Sequence, residues 1–136
     1  MIEHRNEAGL LHNENGPAII WADGSKEYYI NGNRHRADGP AIEFADGTKE
    51  YWIDGKRHRV DGPAIIWADG SKYWYRDGQL HRVDGPAVEL ASGSKSYYID
   101  GKKHGIYKLY YSNGQLFEEV NIYMQQALMT DNDFQR

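Results

Sequence analysis

The chain has no cysteine, only four prolines, and no apolar run long enough to cross a membrane as a helix. Without thiols, neither a disulfide framework nor cysteine chemistry is open to it. Residues 1–15 are polar, so neither a signal peptide nor a membrane anchor is expected, and the cytoplasm is the expected compartment. Positive charge is also short. Sixteen Lys and Arg stand against 20 Asp and Glu, a net charge of −4 that argues against a general nucleic-acid or anionic-membrane binder. Phenylalanine and methionine occur three times each, but tyrosine 11 times, within a mean hydropathy of −0.82. An apolar share this aromatic favours strands.

What is present is repetition. Pro17, Pro40, Pro63 and Pro86 each follow the last by 23 residues, and His12, His35, His58, His81 and His104 keep the same step. So do the turn glycines Gly24, Gly47, Gly70 and Gly93. A fixed period of this size marks a repeat architecture of stacked supersecondary units. Residues 1–15 resemble the second half of a unit and form an N-terminal cap. Residues 16–107 hold four full units, 108–120 a variant terminal repeat without the Gly-Pro pair, and 121–136 a C-terminal cap or tail, strand or helix. Each unit carries an Asp-Gly pair (Ser92-Gly93 in the last) and then Asn31-Gly32, Asp54-Gly55, Asp77-Gly78 or Asp100-Gly101. These dipeptides between apolar runs signal hairpins. A third break falls at Gly-Pro, where proline cannot donate to a ladder. Glycines this frequent exclude helix from the array. The expected fold is all-β: an elongated, single-layer antiparallel β-meander with short caps.

If both turns are two-residue loops, Ile19 faces Tyr28, Trp21 faces Lys26, Tyr28 faces His35 and Glu27 faces Arg36. One face then carries Trp21, Tyr28, Phe44, Tyr51, Trp67, Trp74 and Tyr97 as an aromatic stripe about 40 Å long. The other is solvated, with Glu27–Arg36 and Glu50–Arg59 as cross-strand ion pairs.

The unit Phe44-Ala45-Asp46-Gly47 followed by Trp52-Ile53-Asp54-Gly55-Lys56-Arg57-His58 resembles the MORN (membrane occupation and recognition nexus) repeat and its bacterial and phage variants. Tyr110-Tyr111-Ser112-Asn113-Gly114-Gln115-Leu116 is similar to the variant repeat of bacterial members, some of which act as antitoxins. The resemblance covers residues 10–120 or so and implies a twisted antiparallel sheet used as a binding scaffold. The family's His-Gly is His-Arg in three units, an Asp-Gly-Pro-Ala turn is inserted after it, and the first hairpin is shorter. The membrane binding of some members is therefore not carried over.

Histidines one unit apart lie about 10 Å from each other, because two strands at about 4.8 Å separate them. They cannot share a metal ion with bonds of about 2.1 Å, so no metal site and no cofactor is expected. Each histidine is expected to rest on Tyr28 or its equivalent, or to bond a turn carboxylate. Nearly every polar residue has a copy one unit away, whereas a catalytic group is singular and sits in a concave site. No catalytic residue is expected. The expected function is protein binding through Trp21, Tyr28, Phe44, Tyr51, Trp67, Trp74, Tyr97 and Arg76, rimmed by Arg34, Arg36, Arg57, Arg59 and Arg82. A bacterial or phage inhibitor, acting in the host cytoplasm if phage-encoded, is the setting the resemblance implies. A homodimer through the apolar face or edge strands is the alternative, and nucleic-acid binding along the Arg/Lys rim a weaker one. Glu43 and Glu89 stand where Ile20 and Ile66 stand in the alternate units, and Arg76 replaces an isoleucine. These departures are where a partner is expected to leave its mark.

Overall fold

A computed structural model describes residues 1–104, 106–110 and 116–121. The tail expected over 121–136 lies outside the described residues except for Asn121, and the interior of the variant repeat lies partly outside them. The described strands are all antiparallel, and no helix occurs among the described residues. The expected all-β meander is what the chain forms.

Each unit contributes two strands to a ten-stranded sheet. In chain order these are β2 (Ile19–Ile20) and β3 (Lys26–Glu27), then β6 (Ile42–Glu43) and β7 (Lys49–Glu50). The third unit adds β10 (Ile65–Ile66) and β11 (Lys72–Tyr73), and the fourth β14 (Val88–Glu89) and β15 (Lys95–Ile99). β1 (Ile2–Glu3) closes one edge and β16 (Lys102–His104) the other. The second half of each unit leaves the sheet as a separate hairpin: β4 (Tyr29–Ile30) with β5 (Asn33–Arg34), β8 (Trp52–Ile53) with β9 (Lys56–Arg57), and β12 (Tyr75–Arg76) with β13 (Gln79–Leu80). β17 (Ile106–Tyr110) and β18 (Leu116–Asn121) form a last hairpin.

The branch point is Tyr28, Tyr51 or Trp74, and its cause is the Gly-Pro-Ala segment that follows. Tyr28 N–H donates to the Ala41 carbonyl at 2.7 Å, so β3 pairs onward with β6, and the hairpin between them must fold aside. After β15 no Gly-Pro-Ala segment follows, and that strand runs straight for five residues into its pairing with β16.

The two turns of a unit differ. At the second, Asn31 (φ 47°) and Gly32 (φ 84°) both take the left-handed conformation, and Ile30 pairs with Asn33. That is the two-residue loop read from the sequence. At the first, only Gly24 has positive φ (93°), Ile20 pairs with Lys26, and Ile19 pairs with Glu27. Trp21 N–H donates to the Ser25 carbonyl while Gly24 N–H returns to the Trp21 carbonyl. This is a three-residue loop, a type I turn closed by a left-handed glycine. The extra residue slips the register by one and exchanges the faces of everything before the turn relative to everything after it.

The single aromatic stripe is therefore corrected to two rows on opposite faces. Trp21 shares a face with Glu27, and Tyr28 points the other way. The expected ion pairs Glu27–Arg36 and Glu50–Arg59 are also replaced: Glu27 meets Arg34 at 3.4 Å and Glu50 meets Arg57 at 3.1 Å. The buried positions lie in the sheet: Ala18, Ala41, Ala64 and Ala87 on one side, and Ile19, Ile42, Ile65 and Val88 on the other.

Candidate functional site

The first face carries Trp21, Phe44 and Trp67, with Leu90 in the equivalent place, each at the start of a three-residue turn. All four are exposed, at 41, 40, 40 and 39%. Beside them a polar network runs through two buried or half-buried carboxylates. Glu27 accepts from Trp21 Nε1 (2.7 Å), the Tyr29 hydroxyl (2.9 Å) and Arg34 Nη2 (3.4 Å). Glu50 accepts from Trp52 Nε1 (3.0 Å) and Arg57 Nε (3.1 Å). Arg34 lies over the rings of Tyr29 and Trp52, and Arg57 over those of Trp52 and Tyr75. Rings and guanidinium groups thus alternate along the hairpins. Burial pushes the Tyr29 phenol above its ordinary value, helped by its hydrogen bond to Glu27, and burial raises Tyr75 as well. In the third unit the carboxylate position is Tyr73, which meets Trp67 edge-on at 5.8 Å.

The opposite face is built from the second aromatic row and the loops that precede each Gly-Pro. Arg36 lies over the Tyr28 ring at 4.0 Å, Arg59 over Tyr51 at 3.9 Å and Arg82 over Trp74 at 3.9 Å. Each arginine also closes its own loop: Arg36 Nη1 donates to the Pro40 carbonyl (3.1 Å), Arg59 Nη1 to that of Pro63 (3.1 Å) and Arg82 Nη1 to that of Pro86 (3.0 Å). The guanidinium lies so close to the loop glycine that a Cβ on Gly85 would stand 2.9 Å from Arg82 Cζ. That contact explains the glycine of the Gly39-Pro40, Gly62-Pro63 and Gly85-Pro86 pairs, where a Cβ would stand 3.1, 3.1 and 2.9 Å from the guanidinium carbon. Arg36 also reaches Glu43 at 2.8 Å, and Arg82 reaches Glu89 at 3.5 Å. Glu43 and Glu89 thus each pair with the arginine of the preceding loop, while Arg59 closes its loop with Ile66 at the equivalent place.

Side chains also tie successive units together. His12, His35, His58 and His81 each accept, on Nδ1, the backbone N–H of the next unit's turn residue: Asn31, Asp54, Asp77 and Asp100, at 2.9–3.0 Å. An accepting Nδ1 places the proton on Nε2. At the other end, the hydroxyls of Ser25, Thr48 and Ser71 accept the N–H of Ala45, Ala68 and Ala91 at 2.9–3.0 Å. The expected histidine bond to a turn carboxylate is replaced by one to the backbone: His35 Nδ1 accepts Asp54 N–H and, carrying no proton, does not bond Asp54 Oδ1 at 3.2 Å. Among the described residues, no group of three His, Cys, Asp or Glu side chains gathers to hold a metal.

The expected site residues therefore separate. Trp21, Phe44 and Trp67 lie on the first face with Arg34 and Arg57. Tyr28, Tyr51 and Trp74 lie on the second, with Arg36, Arg59, Arg82 and Arg76. Tyr97 is half-buried against His104, ring to ring at 6.0 Å, and no further Gly-Pro loop follows to wall it in. The reading missed Tyr29, Trp52 and Tyr75 as ring partners of the arginines. It also missed Val60 and Val83, which are 90 and 81% exposed at the loop tips. An apolar residue between Arg and Asp-Gly in a polar loop was the available signal. Known protein-family models and curated proteins give no match to this chain.

Proposed function

We propose that the protein is a non-catalytic protein-binding scaffold, as in the bacterial or phage inhibitor setting that its MORN-like units imply. One observation carries this reading. Each of the three described inter-loop gaps is a concave notch, and each full unit sets an apolar residue at its first turn, so recognition elements are multiplied along the described residues. Multiplied elements suit an extended protein surface; a reaction centre needs one convergent set of groups. The arginines do not favour nucleic acid, because each rim guanidinium lies over a ring and bonds a carboxylate or carbonyl of its own chain. The test is photo-crosslinking in the producing cells, with a benzophenone side chain placed at Val60 on one face and, separately, at Phe44 on the other. Adducts with a second protein are expected at one or both. Adducts of the chain with itself alone would establish the homo-oligomer instead, and adducts with nucleic acid alone would overturn the reading.

A further inference from the structure

Three notches open on the Tyr28–Tyr51–Trp74 face, one between each pair of successive loops. The first lies between residues 13–16 and 36–39, floored by Tyr28 and Ile30, with a volume near 680 Å³. The second lies between 36–39 and 59–62, floored by Tyr51 and Ile53, near 490 Å³. The third lies between 59–62 and 82–84, floored by Trp74 and Arg76, near 570 Å³. Each is large enough for a long side chain and too open to enclose a small molecule.

Their spacing and their charge both constrain what fits. Two strands per unit set the notches about 10 Å apart. Three residues of polyproline II chain span about 9 Å and complete one turn, so a segment lying along the row in that conformation drops every third side chain into a notch. Charge changes along the row. Glu14 and Asp38 outweigh Arg36 at the first notch. Arg36 and Arg59 balance Asp38 and Asp61 at the second. At the third, Arg59, Arg76 and Arg82 outweigh Asp61 and Asp84. Arg76 decides that last sign. Its side chain has no ion pair, hydrogen bond or ring contact among the described residues, whereas Arg59 and Arg82 are committed to their own loops.

We infer that the notched face, taken as the scaffold's binding surface, holds a segment of a partner protein in polyproline II conformation. Its basic, apolar and acidic side chains, three residues apart, enter the first, second and third notches. The inference rests on the scaffold reading and adds the chemistry of the partner segment.

The probes are synthetic nine-residue peptides, serine and glycine elsewhere, carrying lysine, leucine and glutamate three residues apart, made in both chain directions. Isomers of identical composition place the three side chains two or four residues apart. Binding is read by titration calorimetry and by amide shifts of the labelled protein. One direction of the three-apart peptide is expected to bind at least about tenfold more tightly than either isomer, with shifts confined to the notch residues. Arg76→Ile, which restores the residue of the first two units at an exposed position, should cost about tenfold for this peptide. The same change should leave the affinity for a peptide with leucine in place of glutamate unreduced. Equal affinity across spacings, or no binding by any peptide at millimolar concentration, overturns the assignment. Self-association removed by Val60→Asp, with no peptide bound, gives the notches to a second copy and also overturns it. Should the peptides fail while Val60 still crosslinks to another protein, the scaffold reading stands and the segment assignment alone falls.

Discussion

The two turns of a unit are nearly identical in sequence and opposite in consequence. Asp46-Gly47 and Asp54-Gly55 are both acidic-glycine pairs between apolar runs, eight residues apart. At the second, Asp54 (φ 48°) and Gly55 (φ 79°) are both left-handed, and Ile53 pairs with Lys56. At the first, Gly47 (φ 96°) alone is left-handed, Asp46 Oδ1 accepts Thr48 N–H at 2.8 Å, and Glu43 pairs with Lys49. A dipeptide signals a hairpin without stating how many residues the loop holds. One residue of difference decides whether Trp21 and Tyr28 share a face.

The largest expected effect comes from the pairing that the branch at Tyr51 creates. Glu50 is 7% exposed and Arg57 lies partly in solvent. Glu50→Ala should therefore cost about 2 kcal/mol, less than a fully buried pair because Arg57 retains some hydration. In double-mutant cycles by urea denaturation, Glu50 should couple to Arg57 by about 1 kcal/mol and to Arg59 by almost nothing. Comparable coupling to Arg59 would restore an unbranched strand running through Tyr51 into the second hairpin.

A smaller effect separates the turns directly. Asp46→Gly removes the side-chain bond to Thr48 and adds backbone freedom at a residue with negative φ, for about 1 kcal/mol of lost stability. Asp54→Gly relieves a left-handed non-glycine residue and should fall within about 0.5 kcal/mol of the parent. Equal losses at the two sites in thermal unfolding would erase the distinction.

The smallest effect concerns pH. Hydrogen bonds from Ser25 and Ser71 hold the Asp23 and Asp69 carboxyls below their ordinary value. A carboxyl depressed in the folded state stabilises it fully above the unfolded value of 3.8 and loses that contribution as pH falls through the folded one. Asp69→Asn should flatten the acid limb of the stability curve below pH 4 or so, relative to the parent. An unchanged limb would contradict the turn geometry.

Much of this was legible in the chain and some was not, for physical reasons. The 23-residue tile, the meander and the register of the Asn31-Gly32 turn follow from glycine, proline and histidine spacing. The branch at Tyr28 was hidden, because it depends on β3 pairing with the next unit as well as with its own. Glu43 and Glu89 were legible as departures but not as ion-pair partners, since Arg36 and Arg82 lie seven residues back across a loop of unknown path. Arg76 was legible as a departure and has no such internal partner among the described residues.

Nuclear Overhauser contacts across the first hairpin of the second unit test the register most directly. Ile42 should show cross-strand contacts to Glu50, and Glu43 to Lys49. Contacts pairing Ile42 with Tyr51 instead would return all the aromatics to one face and contradict the account.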